Sequence, residues 1–281
     1  MAPRVIHDPR ALRTACDAAR AAGHRVGLVP TMGALHDGHM SLVAALAERT
    51  SFRVLTIFVN PLQFAPTDDL DRYPRTLDAD VSLAAQAGVD LVFAPAPDAM
   101  YPVGFQSHVE VEGVTLPLEG AFRPGHFRGV TTVVTKLFNL VGPCAAAFGT
   151  KDYQQWRVLS RMVTDLDMPV EMVGCPIVRE TDGLALSSRN RYLNERDRER
   201  ALCLSRALAW AEAQWRAGER DPEVIATAAR MIVEADMDQV DYVRAVDPET
   251  LEPPTGDVQR LTVLIAAHLG TTRLIDNREL T

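Results

Sequence analysis

Short apolar runs alternate with amphipathic stretches through the first two-thirds of this chain. The run Arg25–Val29, bounded by Gly23 and Pro30, has the pattern of a parallel strand buried on both faces. Ser41–Glu48 follows with helical spacing. Phe52–Val59 predicts a second strand ending at Asn60-Pro61, and Leu77–Ala87 an amphipathic helix. The pattern then predicts strands at Asp90–Ala94, Ala145–Phe148 and Val170–Val173, with helices over Val130–Val141 and Tyr153–Leu166. Such alternation predicts an α/β fold, a Rossmann-like parallel sheet with helices on both faces. Ligands of such sheets bind beyond the carboxyl ends of the strands.

Near residue 177 the pattern changes. Glu195–Trp215 and Pro222–Ala235 read as two helices separated by Gly218–Asp221. The β-rich runs Val240–Val246, Leu261–Ala267 and Thr272–Ile275 follow. The expectation is a smaller α+β C-terminal domain at 178–281 behind a catalytic domain at 1–177, joined around Ile177–Asp182. With 281 residues, 47% of them apolar, the chain can bury two cores. A net charge of −8 argues against a general nucleic-acid binder, though not against a local basic pocket. No uninterrupted apolar run approaches the roughly 18 residues of a membrane span, and Met1–Asp8 lacks a signal-peptide core. The cysteines at 16, 144, 175 and 203 have no paired spacing, which suits a reducing cytoplasm.

The chemistry concentrates where strands end. Pro30-Thr31-Met32-Gly33-Ala34-Leu35-His36-Asp37-Gly38-His39 carries two histidines between a strand and a helix start. Unpaired N–H groups and the positive end of the helix dipole make that place an anion site. Imidazoles added there can donate to phosphate oxygens, which points to a nucleoside triphosphate. Two capping histidines without chemistry are the plain alternative, and a zinc half-site would lack a third ligand nearby.

Asn60-Pro61-Leu62-Gln63-Phe64 ends the next strand, and Gln63 offers donors and an acceptor to a hydroxy acid, or belongs to a solvated loop. Tyr73-Pro74-Arg75 lies on the same long loop. Gly149-Thr150-Lys151-Asp152-Tyr153-Gln154-Gln155 repeats the strand, turn, helix order: Lys151 can neutralise phosphate, Asp152 is placed to cap the helix, and Gln155 shares its face. Leu186-Ser187-Ser188-Arg189-Asn190 can offer donors to β- and γ-phosphates, or be a helix start or surface loop. Gly120–Gly129 reads as a glycine-rich basic loop closing over the site, with His126 equally able to be a packed structural residue. No P-loop and no Gly-x-Gly-x-x-Gly pattern occurs.

Together, these segments and Arg72-Tyr73-Pro74-Arg75 resemble the pantoate–β-alanine ligase family, whose core is shared with class I aminoacyl-tRNA synthetases. The resemblance runs over nearly the whole chain. It implies that ATP and pantoate form pantoyl adenylate and pyrophosphate with Mg2+ assisting, and that β-alanine then gives pantothenate and AMP. It implies that His36 and His39 contact the phosphates, with His39 the proton donor. Gln63 and Gln155 would hold pantoate, Gln63 also lying near β-alanine, with Asn60 and Tyr73 in the same substrate site. Met32, Gly33, Gly38, Gly149, Thr150, Lys151, Asp152 and Val178 would line the nucleotide. Leu186-Ser187-Ser188-Arg189 resembles the Lys-Met-Ser-Lys-Ser loop of the synthetases and would clamp the triphosphate. The second domain would be a lid, and the assembly a homodimer. Leu186 stands where many relatives have Met, and Thr150 where many have Glu. The rival readings are a nucleotidyltransferase acting on a phosphorylated substrate, which shares the His-x-Gly-His pattern, and a non-catalytic nucleotide sensor.

Overall fold

The computed structural model describes residues 2–65, 70–256 and 258–281. Met1 of the N-terminal stretch and part of the loop between Gln63 and Tyr73 lie outside them. The strands are β1 (Arg4–Ile6), β2 (Val26–Thr31), β3 (Phe52–Ile57), β4 (Leu91–Phe93), β5 (Cys144–Gly149), β6 (Val170–Cys175), β7 (Gln239–Val246), β8 (Leu261–Leu269) and β9 (Thr272–Leu280). The helices are α1 (Pro9–Ala21), α2 (Asp37–Ala47), α3 (Leu77–Gln86), α4 (Pro97–Met100), α5 (Glu119–Phe122), α6 (His126–Val141), α7 (Tyr153–Asp165), α8 (Glu195–Ala201), α9 (Cys203–Arg216) and α10 (Pro222–Glu234).

The first six strands form one parallel sheet in the order β1-β4-β3-β2-β5-β6. Alternation along each strand feeds a core on either face. Leu28, Val54, Leu91 and Phe93 pack with Leu12 and Cys16 of α1, Val134 and Phe138 of α6 and Met162 of α7. Val29, Leu55 and Val92 point the other way, onto Val43 and Leu46 of α2 and Ala84 of α3. The last three strands form an antiparallel sheet, β7-β8-β9. Val263, Ile265 and Ala267 of β8 pack against Leu204 and Leu208 of α9 and Ile225 of α10. From the opposite face of β8, Leu264 and Ala266 meet Leu118 and Tyr153. The fold is thus the expected parallel α/β sheet with a smaller α+β part behind it.

Local differences from the pattern have local causes. The edge strand β1 and the helix α1 carry no prediction above, yet Asp8 caps α1 (Ala11 N to Asp8 Oδ2, 2.9 Å) and Pro9 occupies its first position. Helix α2 starts at Asp37 rather than Ser41, because His36 itself serves as the cap. Helix α5 ends at Phe122 and α6 starts at His126 behind a left-handed Gly125, so only Arg123–Gly125 of the expected glycine-rich loop lies outside a helix. The expected helix Glu195–Trp215 breaks at Leu202, whose N–H bonds Glu199 O at three-residue spacing.

Candidate active site

The chain leaves β2 outward through β3 to β4, then returns to β5 on the other flank of β2. The strand order therefore reverses between β2 and β5, and a cavity of about 1020 Å³ opens at their carboxyl ends. Strands β8 and β9 form its far wall. All the candidate residues line it except Gly33 and Thr150.

At the end of β2, Thr31 Oγ1 donates to Thr56 O (2.6 Å) and accepts from Gly33 N (3.1 Å). The backbone then turns through Gly33 (φ +81°) and Ala34 (φ +50°), the second a left-handed alanine that costs about 1–2 kcal/mol. The buried carboxylate of Asp80 holds the turn, accepting from Ala34 N (3.0 Å), Leu35 N (2.8 Å) and the Thr76 hydroxyl (3.2 Å). His36 follows as the N-cap of α2. Its Nδ1 accepts from Gly38 N (3.2 Å), while His39 Nδ1 accepts from His36 N (3.3 Å), a reciprocal capping box made of two imidazoles. A side chain at residue 38 would meet the His36 ring at 2.9 Å, which explains the glycine between the histidines.

With both Nδ1 atoms accepting, the hydrogen-bond network assigns the ring protons to Nε2, which stay available to a ligand. The rings lie 4.0 Å apart. Burial pushes His36 down to about 4, helped by the Lys151 and Arg191 cations, and His39 down to about 3, helped by His36 and Lys151. Both are neutral near pH 7, so they are hydrogen-bond donors there rather than imidazolium acids.

On the β5 side, Gly149 leads into a 3-10 turn at Thr150–Asp152 and then α7. Thr150 Oγ1 donates to Cys175 O (3.1 Å), turned to β6. Lys151 Nζ lies 3.9 Å from Asp152 Oδ2. Asp152 occupies the N-cap position of α7 but its side chain makes no cap bond, correcting the expectation from spacing. Gln155 faces the cavity, whereas its neighbour Gln154 is buried and fully used, bonding Glu119 N, Val114 O and Pro117 O.

Beyond β3, the Asn60 amide is buried and clamps its surroundings. Its Nδ2 donates to Gln63 Oε1 (3.0 Å) and Gly129 O (3.1 Å), while its Oδ1 accepts from Tyr101 OH (2.7 Å) and Leu62 N (3.3 Å). Gln63 Nε2 lies 3.3 Å from Met32 Sδ, a weak acceptor that a better one can displace. His126 takes its structural alternative: Nδ1 donates to Gln63 O (2.9 Å), and burial holds the ring neutral, down to about 4.

From Val178 to Leu186 the chain doubles back, Leu186 N bonding Val178 O (3.0 Å) around an Arg179–Ala185 bridge. Ser187 Oγ accepts from Arg189 N (3.3 Å) and opens a 3-10 turn at Ser188–Tyr192. Ser188 Oγ and Tyr73 OH stand 3.2 Å apart, and the Arg189 guanidinium lies 5.9 Å from the Tyr73 ring centre. The strand-end histidines, the lysine turn and the Ser-Ser-Arg loop thus meet around one cavity.

The chain matches the pantoate-beta-alanine ligase family over residues 4–279. It belongs to that family. A pantothenate synthetase of Geobacter sulfurreducens is 52% identical over 92% of each chain, and one of Anaeromyxobacter dehalogenans is 52% identical over 99% of each. Among solved structures, pantothenate synthetase from Thermus thermophilus aligns with a TM-score of 0.92 at 46% identity, covering 98% of each chain. The pantoate-beta-alanine ligase of Francisella tularensis, complexed with beta-gamma ATP and beta-alanine, aligns with a TM-score of 0.80 at 29% identity, over 99% of this chain and 97% of that one. Membership makes the chain a ligase that joins pantoate to β-alanine as pantothenate.

For a pantoate–β-alanine ligase, the supporting residues are the ones that motifs do not reveal. Asp80, which braces the turn before the histidines, looks like any helix acid. Asn277 of β9 donates to Thr150 O and Lys151 O, both at 2.9 Å. Glu119 and Arg273 face the same cavity as a bidentate ion pair. None has a motif, because each acts on a segment far away in sequence. The signal available was a polar residue at a core position, as at Asn277 within the otherwise alternating β9.

Proposed function

We propose that the ligase works through a bound pantoyl adenylate, with ATP as co-substrate. The pantoate carboxylate attacks the α-phosphorus, the α–β phosphoanhydride bond breaks, and pyrophosphate leaves with the charge. The β-alanine amine then attacks the acyl carbon, AMP departs, and the nitrogen sheds a proton. The carrying observation is the imidazole capping box, which turns two Nε2–H donors toward the cavity that Lys151 and Arg189 also line. Charge building on pyrophosphate needs such fixed donors rather than a protein nucleophile. Ser187 and Ser188 add hydroxyls on the same loop. Gln63 and Gln155 hold the pantoate hydroxyl and carboxylate as neutral amides, with Asn60 fixing Gln63. Met32, Gly38, Gly149, Asp152, Val178 and Leu186 border the nucleotide.

Mg2+, a hard cation that favours phosphate oxygens and water, would assist while bound to the triphosphate. Residues 178–281 act as a lid on a catalytic domain at 1–177, keeping water from the acyl adenylate. The chain works as a homodimer in the cytoplasm, where its four free, buried cysteines stay reduced. No helix among the described residues is long and apolar enough to cross a membrane. Pyrophosphate exchange into ATP, with pantoate present and β-alanine absent, tests the scheme. Pantoate-dependent exchange is expected; pantothenate formation without such exchange overturns the stepwise route.

A further inference from the structure

The lysine turn is held from the opposite sheet. Asn277 lies on β9, opposite Leu264 of β8, and is buried. Its Nδ2 spends both protons on consecutive carbonyls, Thr150 O and Lys151 O, each at 2.9 Å. These peptide units are planar and trans, so their N–H groups, those of Lys151 and Asp152, point away from β9. One side chain therefore orients the two peptide units on either side of the Lys151 α-carbon. Its own backbone is fixed in turn: Asn277 N bonds Asp276 Oδ1 (2.8 Å). Asp276 receives a bidentate Arg179 guanidinium (2.7 and 2.9 Å) from the segment leading to Ser187. Thr150 Oγ1 ties the start of the turn to Cys175 O (3.1 Å), whereas Asp152 makes no side-chain cap, so the Lys151 carbonyl is held from β9.

We propose that Asn277 is a positioning residue for Lys151, through which the C-terminal sheet sets the place of a phosphate-neutralising charge. The inference rests on the adenylation reading above. Lys151 serves the first half-reaction, where the triphosphate is present, and has no triphosphate to neutralise in the second. Asn277→Ala is therefore expected to slow pantoate-dependent pyrophosphate exchange about tenfold or more and raise the KM for ATP. The KM for pantoate and the rate at which supplied pantoyl adenylate reacts with β-alanine stay near wild type. In a Lys151→Ala background the same change should add little, because the charge it positions is gone.

A general packing defect would instead slow both half-reactions and act equally with or without Lys151, and that result overturns the proposal. Asn277→Ser, which retains one donor, is measured in parallel and expected to fall between the two, so a poorly folding alanine variant does not decide the matter. Exchange absent from the wild-type chain would overturn the adenylation reading and this inference together. Normal wild-type exchange with unaffected Asn277 variants would overturn this inference alone.

Discussion

The hydroxyl of Tyr73 stands 3.2 Å from Ser188 Oγ, joining the loop that follows β3 to the loop that follows β6. The Tyr73 ring packs edge-on against Phe64, next to Gln63, with ring centres 6.1 Å apart. Tyr192 OH repeats the connection by donating to Arg72 O at 3.1 Å. A residue the resemblance places with the substrate thus also orders the Ser-Ser-Arg loop. Tyr73→Phe keeps the ring under Arg189 and removes the hydroxyl. A net hydrogen bond of about 0.5–1.5 kcal/mol predicts a rise in the KM for ATP of up to roughly 2- to 13-fold, with no more than that energy lost from stability. Steady-state kinetics with ATP varied would check this, and an unchanged KM would remove Tyr73 from any role at Ser188.

His39 carries two burdens, a cap and a donor. His39→Ala should lower the exchange rate on the order of 10²–10³-fold, as loss of a fixed oxyanion donor does. Loss of the cap to His36 N should also cost about 1 kcal/mol of stability. Urea unfolding alongside exchange kinetics separates the two effects. A variant that lost stability but kept its rate would show that the ring is a cap and nothing more.

How far the sequence reached follows from which interactions are local. Strand–helix alternation exposed β2, β3, β5 and their helices, because each strand alternates its side chains between two cores. The histidine pair was legible because strand, glycine, cap and helix are contiguous. Helix α1 was legible in principle from Asp8-Pro9 and the spacing of Leu12, Cys16 and Ala19. What was not legible is tertiary. Asp80 braces Ala34 and Leu35 from more than forty residues away, and nothing near His126 announces that its partner is the Gln63 carbonyl. Capping by Asp152 failed for the converse reason: Lys151 and the 3-10 turn take the geometry that a simple helix start would have offered.

Stability should fall on mild acidification. His36, His39 and His126 have folded values of about 4, 3 and 4, lowered from an ordinary 6.5 chiefly by burial. Between those values and 6.5 the unfolded chain binds more protons than the folded one, so the free energy of unfolding rises with pH. The stability is fully present above about pH 6.5 and is lost as pH falls toward 4, each histidine giving a slope of up to about 1.4 kcal/mol per pH unit. Urea midpoints at pH 7, 6 and 5 measure it. His126→Asn, which can keep a donor toward Gln63 O, should flatten the slope; an unchanged slope would mean that His126 does not contribute.

Glu119 and Arg273 fasten the segment after β4 to the antiparallel sheet. Arg273 donates from Nη1 and Nη2 to the two Glu119 oxygens, each at 2.7 Å, and from Nε to Asp241 Oδ2 at 2.8 Å. Tyr242 OH adds a 2.6 Å bond to Glu119 Oε1. Burial alone would raise the Glu119 carboxyl, but the Arg273 bonds and charge, Tyr242 and Arg123 bring it below its ordinary 4.5. Its contribution is therefore present above about pH 4.5 and lost as pH falls through the lowered folded value. Glu119→Gln removes the charge while leaving the half-buried Arg273 with Asp241 as its remaining acid. Breaking one side of a buried pair costs about 3–5 kcal/mol, whereas replacing both partners with apolar side chains of similar volume is often nearly neutral. Glu119→Gln should therefore destabilise by several kcal/mol, and Glu119→Leu with Arg273→Met should recover much of the loss. Urea unfolding of both variants decides it: a single substitution costing under about 1 kcal/mol would mean that the pair is solvated and carries little of the connection between the two sheets.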